Sequence, residues 1–298
     1  MNLGELLMQS RMKLKKANVE DPSSEAGLLL SWLLNKELSF VIAHPEKELE
    51  PETVKRYEAL VERRCRKEPF HYITGTREFM SLTFEVNPHV LIPRPDTELL
   101  AQAALYSLGI RPSFFSFKEM FRLPEKKACR ALDVGTGSGC LAVSLAYYCK
   151  NVNVTAMDIS EAALFQARKN GEKWGVNNRI QWLHRDFLEL KGKQEPLYDL
   201  IVSNPPYIPT EAVEGLMEDV KGYEPRLALD GGDDGLVFYR ALSVKGKELL
   251  KTDGILIVEC GYDQAQAVSR LFSEQGFRRT LILTDLAGIE RVVAACDF

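Results

Sequence analysis

From residue 129 to the carboxyl terminus, short apolar runs alternate with amphipathic helical stretches, and that alternation leaves few folds open to the chain. The runs occupy residues 131–134, 152–157, 180–183, 200–202, 255–258, 281–283 and 292–294. They are too short for helices and rich in aliphatic residues, as strands buried on both faces are. Strands separated by helix-length segments form βαβ units, whose right-handed crossovers build a parallel, doubly wound sheet covered by helices. The last two runs lie too close for a helical crossover and are expected to pair antiparallel. The expected fold class is therefore α/β, Rossmann-like, with a mainly parallel seven-stranded sheet.

Upstream the periodicity changes. Between residues 3 and 65 apolar side chains recur at helical spacing, as in Leu28, Leu29, Leu30, Trp32, Leu33 and Leu34, with turn signals at Asp21-Pro22 and His44-Pro45. A helical bundle over residues 1–75 follows. The stretch 78–86 alternates aromatic and β-branched with polar residues, predicting a β-hairpin in a linker over 76–92, with the catalytic domain spanning 93–298. Residues 109–127 form a connection long for a compact domain, with the character of a surface insertion.

Composition narrows the function classes. A net charge of -4 and a pI near 5.8 argue against a dedicated nucleic-acid binder, which carries a basic excess. The six cysteines show no two-residue spacing of the kind structural zinc sites use, so reduced thiols in a cytoplasmic protein are expected. No run approaches the roughly 20 apolar residues of a membrane span.

Asp133-Val134-Gly135-Thr136-Gly137-Ser138-Gly139 ends the first strand of the sheet and opens a helix near Cys140. Glycines there allow a sharp turn and let a ligand lie over the helix amino terminus. A dinucleotide fold wants a further Gly where Cys140 stands, and a phosphate loop wants a Lys-Ser/Thr pair. A tight turn that binds nothing stays open. Asp158 ends the second strand, where a carboxylate accepts ribose hydroxyls or else caps the helix from Ser160. Asp186 and Phe187 follow the third strand, placed to hold an adenine by its exocyclic amine and its face, or, for Phe187, to fill the core.

Asn204-Pro205-Pro206-Tyr207 leaves the carboxyl end of the fourth strand, the edge where open α/β sheets bind ligands. Consecutive prolines remove two amide donors and hold the chain extended, so carbonyl oxygens and the Asn204 side chain present acceptors. A planar NH2 group needs two acceptors, and Tyr207 offers a flat face to pack on it. An amide nitrogen is a poor nucleophile, so catalysis reduces to orienting it in line with a sulfonium methyl. The expected reaction is S-adenosylmethionine-dependent methylation of a planar nitrogen, giving S-adenosylhomocysteine. The motif leaves adenine, cytosine, guanine and glutamine open. A nucleic-acid amino-methyltransferase, a nicotinamide-dependent oxidoreductase and a non-catalytic binding protein are the rival readings.

With Ile92-Pro93-Arg94-Pro95-Asp96-Thr97-Glu98, Tyr223-Glu224-Pro225, Ala228-Leu229-Asp230-Gly231-Gly232, Asp234-Gly235-Leu236 and Asp285-Leu286-Ala287-Gly288 added, nearly the whole chain resembles the peptide chain release factor glutamine methyltransferases. The Arg-Pro-Asp-Thr-Glu segment is the most discriminating, because related enzymes acting on DNA, RNA or ribosomal protein share the Asn-Pro-Pro-Tyr and usually lack it. The resemblance implies a class I S-adenosylmethionine-dependent methyltransferase that methylates N5 of the glutamine in the Gly-Gly-Gln motif of class I release factors, in support of translation termination. It implies that Gly135, Thr136, Gly137, Ser138, Gly139, Asp158, Asp186, Phe187 and Asn204 contact the cofactor. Asn204, Pro205, Pro206 and Tyr207 would hold the glutamine, with Asn204, Pro205 and Tyr207 as the catalytic set. The bundle would help dock the release factor. A cytoplasmic monomer using no metal, no membrane and no nucleic acid is expected. Phe187 stands where the family often has Trp, and Glu259-Cys260-Gly261 replaces a more usual Glu-Ile/His-Gly.

Other features carry less. His44, His71, His89 and His184 have no ligand spacing. Arg63, Arg64, Arg66 and Lys67 are expected on a solvated helix face. The Asp230–Gly235 stretch, 230–235, reads as a turn capping the helix from Leu236. Thr97 and Glu98 either line the cleft or cap the helix they begin.

Overall fold

The computed structural model describes residues 1–110, 120–125, 127–190 and 197–298. The chain divides into two compact units, Met1–Thr76 with Met217–Tyr223, and Arg77–Leu216 with Glu224–Phe298.

The smaller unit carries helices Leu3–Lys16, Pro22–Leu34, Leu38–Ala43, Pro51–Cys65 and Phe70–Thr74. Their starts follow capping chemistry. The Asn2 side chain accepts from Glu5 N while the Glu5 carboxylate accepts from Asn2 N, and Asp21 caps the second helix ahead of Pro22. Leu3, Leu6, Leu14, Leu29, Leu30, Val41, Tyr57 and Val61 make its core. Within the basic cluster Arg66 is exposed, whereas Arg64 departs from the expected solvated face. Arg64 is buried and pairs with Glu25 at 2.5 Å and Asp219 at 3.5 Å, and Arg63 pairs with Glu68. Desolvating a guanidinium is tolerated only where carboxylates meet it, and both of Arg64's lie far along the sequence.

A two-stranded ribbon, β1 (Thr76–Phe79) and β2 (Leu82–Glu85), starts on the last residue of the first segment and otherwise belongs to the larger unit. The turn residues Met80 and Ser81 both have positive φ, 51° and 58°, a conformation Asn-Gly normally fills. Two long-range contacts hold it: Met80 N–H donates to the Glu98 carboxylate at 2.7 Å, and the Tyr148 hydroxyl donates to Met80 O. Exposed Ser81 bears unrelieved strain, so Ser81→Gly is expected to raise unfolding stability by about 0.5–1 kcal/mol. A urea midpoint that falls would show that the turn is not strained there.

The main sheet contains β3 (Cys129–Val134), β4 (Val152–Asp158), β5 (Ile180–His184), β6 (Tyr198–Ser203), β7 (Leu250–Glu259), β8 (Arg279–Thr284) and β9 (Glu290–Cys296). Among the described residues its order is β5-β4-β3-β6-β7-β9-β8, parallel except for β9, which runs antiparallel to both neighbours. All seven strands coincide with the apolar runs. Period-two alternation sorts their side chains: Ala131, Leu200, Val202, Ile255, Ile257 and Ala294 face helices Thr97–Ser107 and Cys140–Tyr148, whereas Leu132, Val134, Ile201, Leu256 and Val258 face helices Val237–Leu249 and Ala265–Glu274. No helix among the described residues is long and apolar enough to cross a membrane.

The surface-insertion reading of 109–127 needs correction where the segment is described. Met120 and Phe121 are buried in the larger core, Ser107 Oγ donates to Phe121 O at 2.9 Å, and Arg279 lies over the Phe121 ring. Residues 111–119 and 126 lie outside the described residues.

Candidate active site

Between β3 and β6 the strand order reverses: the chain steps outward through β4 and β5, then returns to pair β6 on the other side of β3. Loops leaving two such strands splay apart and open a crevice at their carboxyl ends. Val134 pairs with Ser203, so the glycine loop and Asn204 leave the sheet side by side.

The glycine loop is held from below. Gly135 N and Thr136 N both donate to Met157 O, and Gly137 N donates to the Asp158 carboxylate at 2.9 Å. Thr136 Oγ1 and Ala142 N donate to the fully buried Asp133, whose pKa burial pushes up to about 7. Gly135, Gly137 and Gly139 all have positive φ. They differ in what a side chain would meet. A Cβ on Gly135 or Gly137 would have nothing within 4 Å, whereas one on Gly139 would lie 3.0 Å from the Ala167 Cβ. The first two glycines thus face open space and the third lets two helices approach.

Asp158 accepts from Gly137 N through Oδ2 and from Ser160 N through Oδ1, both at 2.9 Å. The cap of helix Glu161–Lys173 is Ser160, which accepts from Ala163 N, so Asp158 stands two residues ahead of it with acceptor capacity left. Burial raises its pKa, against which the amides of Ser160, Gly137 and Ile159 pull. Asp186 Oδ1 accepts from Leu188 N, and Phe187 is buried with the Lys245 ammonium over its ring. Phe187 thus belongs to the core and to the crevice wall at once.

Gly135, Gly137, Asp158, Asp186, Phe187, Asn204, Pro205 and Pro206 line one cavity of 330 Å³, together with Leu91, Ile159 and Leu227. Thr136, Ser138, Gly139 and Tyr207 do not line it. Ser138 O accepts from Asn170 Nδ2, and Tyr207 packs partly buried against the core cluster that includes Val258, with its O accepting from Gln264 and its phenol pKa pushed up to about 12 by burial. No group of three or more His, Cys, Asp or Glu able to hold a metal occurs among the described residues.

Two supports were not legible in the sequence. The glycines of 230–235 do more than turn toward a helix: a Cβ on Gly231 would lie 2.8 Å from Pro206 O and Tyr207 Cα, and one on Gly235 would lie 2.4 Å from Tyr207 O. Ile208 donates to Leu229 O and Gly231 donates to Ile208 O, pinning that segment behind Asn204-Pro205-Pro206-Tyr207. The paired glycines were the available signal, since close backbone approach is a reason for Gly. The second support is Thr97. Its hydroxyl accepts from Asn204 Nδ2 at 3.0 Å, and Asp96 at the helix start makes no side-chain cap.

Comparison with known proteins agrees with this architecture. The profile described as PrmC N-terminal domain matches residues 5–75, and that of the methyltransferase small domain matches residues 120–258. A release factor glutamine methyltransferase of Moorella thermoacetica is 41% identical over 99% of this chain and 98% of its own. One of Clostridium botulinum is 37% identical over 99% of both. Among solved structures, the hMettl16 catalytic domain in complex with a 3'UTR hairpin is similar in fold, with a TM-score of 0.54, 15% identity, and coverage of 84% of this chain and 83% of that one.

Proposed function

Because the chain belongs to the release factor glutamine methyltransferases, we propose that it transfers a methyl group from S-adenosylmethionine to N5 of the glutamine in the Gly-Gly-Gln motif of class I release factors. The observation that carries this reading is the shared cavity: the open glycine loop, Asp158 and Asn204-Pro205-Pro206 line the same space at the switch point of the sheet. The donor fits these residues. Gly135 and Gly137 leave room above the loop, Asp158 has acceptor capacity left for ribose hydroxyls, and Asp186 with Phe187 suits an adenine. When bound, S-adenosylmethionine supplies an electrophilic methyl on a sulfonium.

The chain's residues do the rest. Asn204 Oδ1 and a proline carbonyl accept the two hydrogens of the glutamine amide, which orients its lone pair and favours charge developing on nitrogen. The proton lost afterwards is acidic enough to leave to solvent, so no strong base is called for. Tyr207, one shell behind the cavity wall, stiffens the motif. The bundle of residues 1–75 is proposed to dock the release factor, with the enzyme acting as a cytoplasmic monomer and without nucleic acid.

Mass spectrometry of a release factor before and after treatment tests the reading, with a single methyl expected on the Gly-Gly-Gln glutamine. Label appearing only in DNA or RNA, when these are offered in parallel, would overturn it. Asp158→Ala is expected to weaken S-adenosylmethionine binding by about 10- to 100-fold, since it removes the ribose acceptor and the anchor of Gly137. An unchanged Kd by calorimetry would rule out the ribose contact.

A further inference from the structure

We infer that Thr97 and Glu259 are positioning residues that fix which end of the Asn204 carboxamide faces the substrate, an inference that rests on the glutamine-methylation reading above. A carboxamide is nearly symmetric in shape and opposite in polarity at its two ends, Oδ1 accepting and Nδ2 donating. Only with Oδ1 outward does Asn204 accept a hydrogen from the substrate NH2. Turned over, it sets donor against donor. Asn-Pro-Pro-Tyr contains nothing that chooses between the two.

The choice is made by neighbours on other elements. Asn204 Nδ2 donates to Thr97 Oγ1 at 3.0 Å, and Thr97 is only 2% exposed. A hydroxyl that accepts there has its single proton left for another acceptor, and the carboxyl group of Glu259, whose charged form the Thr97 hydroxyl favours against burial, is the acceptor beside it. Glu259 ends β7, directly beside β6, where Ser203 pairs with Val258. It is 2% exposed. The nearby arginines are engaged by other carboxylates: Arg94 pairs with Glu224 at 2.5 Å, and Arg291 pairs with Asp96 at 3.2 Å and Asp285 at 3.4 Å. No ion pair among the described residues takes up the Glu259 carboxyl group, and burial pushes its pKa up to about 7, so above that pH the ionised group terminates the Asn204–Thr97–Glu259 chain as acceptor. A hydrogen-bond chain ending on an acceptor has one direction of donation, and that direction turns Nδ2 inward and Oδ1 outward.

The helix start that carries Thr97 is therefore part of the site, although Thr97 does not line the cavity. The test compares Thr97→Val, Thr97→Ser and Glu259→Gln with the wild-type chain, using a release factor as substrate and S-adenosylmethionine as donor. Val keeps the shape and removes the hydroxyl, and kcat is expected to fall by about 30-fold or more while KM for S-adenosylmethionine stays within about twofold. Ser restores the hydroxyl and is expected to recover kcat to within about threefold of wild type. Glu259→Gln, which can donate to Thr97 and so permits the reversed chain, is expected to lower kcat by about tenfold. A Val variant within threefold of wild type, or a Ser variant as slow as Val, overturns the inference. Should Val fail to bind S-adenosylmethionine, the Gln variant decides, and a kcat within about twofold of wild type overturns the inference. A wild-type chain that leaves the release factor unmethylated refutes instead the reading on which the inference rests.

Discussion

Replacing Asn204 by Ala is expected to lower kcat by on the order of 100- to 1,000-fold while S-adenosylmethionine affinity changes by less than about threefold. The size follows from what is lost. An amide nitrogen has its lone pair delocalised into the carbonyl, and the enzyme's contribution is to orient it and stabilise charge as it develops. Asn204 projects from the end of β6 into the cavity, its amide nitrogen tied to Thr97. Alanine removes the acceptor and leaves the glycine loop, Asp158 and Phe187 in place, so donor binding survives. Single-turnover kinetics with a release factor, alongside calorimetry of donor binding, separate the two effects. Turnover near the wild-type rate would refute the role assigned to Asn204.

Gly231→Ala is expected to cost kcat about 100-fold although Gly231 itself does not line the cavity. The added methyl would stand 2.8 Å from Pro206 O, 2.8 Å from Tyr207 Cα and 2.9 Å from Tyr207 C. These are backbone atoms of a segment stiffened by two prolines, so it cannot yield by a rotamer change. It has to translate, and a displacement of about 1 Å at a positioning group costs roughly two orders of magnitude in rate. Overpacking is also expected to lower unfolding stability by about 1–3 kcal/mol. Steady-state kinetics and urea unfolding measured together check both parts. Full activity in a folded variant would show that the 230–235 turn does not brace the motif.

What could be foreseen here depended on whether the cause was local. The strands of the sheet were legible because a buried parallel strand writes itself as a contiguous apolar run, and the reversal that makes the crevice follows from chain order. Asn204 was legible because two prolines after a strand end have few other uses. The partners of these residues were not, since they come from distant segments. Nothing near Arg64 announces Glu25 or Asp219. Glu98 sits where a helix-capping acid belongs, yet its carboxylate binds Met80 N eighteen positions back. Met120 and Phe121 lie in a polar stretch, and their burial depends on Ser107, Arg279 and Phe298. Gly231 looked like any turn glycine until the backbone behind it was placed.

The return of Met217–Tyr223 to the amino-terminal unit bears on how this protein can be cut and recombined. The chain crosses the boundary after residues 76, 216 and 223, so the smaller unit is not a detachable prefix. Truncation at residue 77 would remove Arg64 and strand Asp219, along with the Arg66 carbonyl that accepts the Tyr223 hydroxyl at 2.6 Å. The freed segment lies between the Asn-Pro-Pro-Tyr motif and its glycine brace, so its loosening would add chain entropy to the very loop that has to stay still. A chimera that exchanges the helical bundle between relatives therefore has to carry residues 217–223 with it, as one inheritance in two pieces.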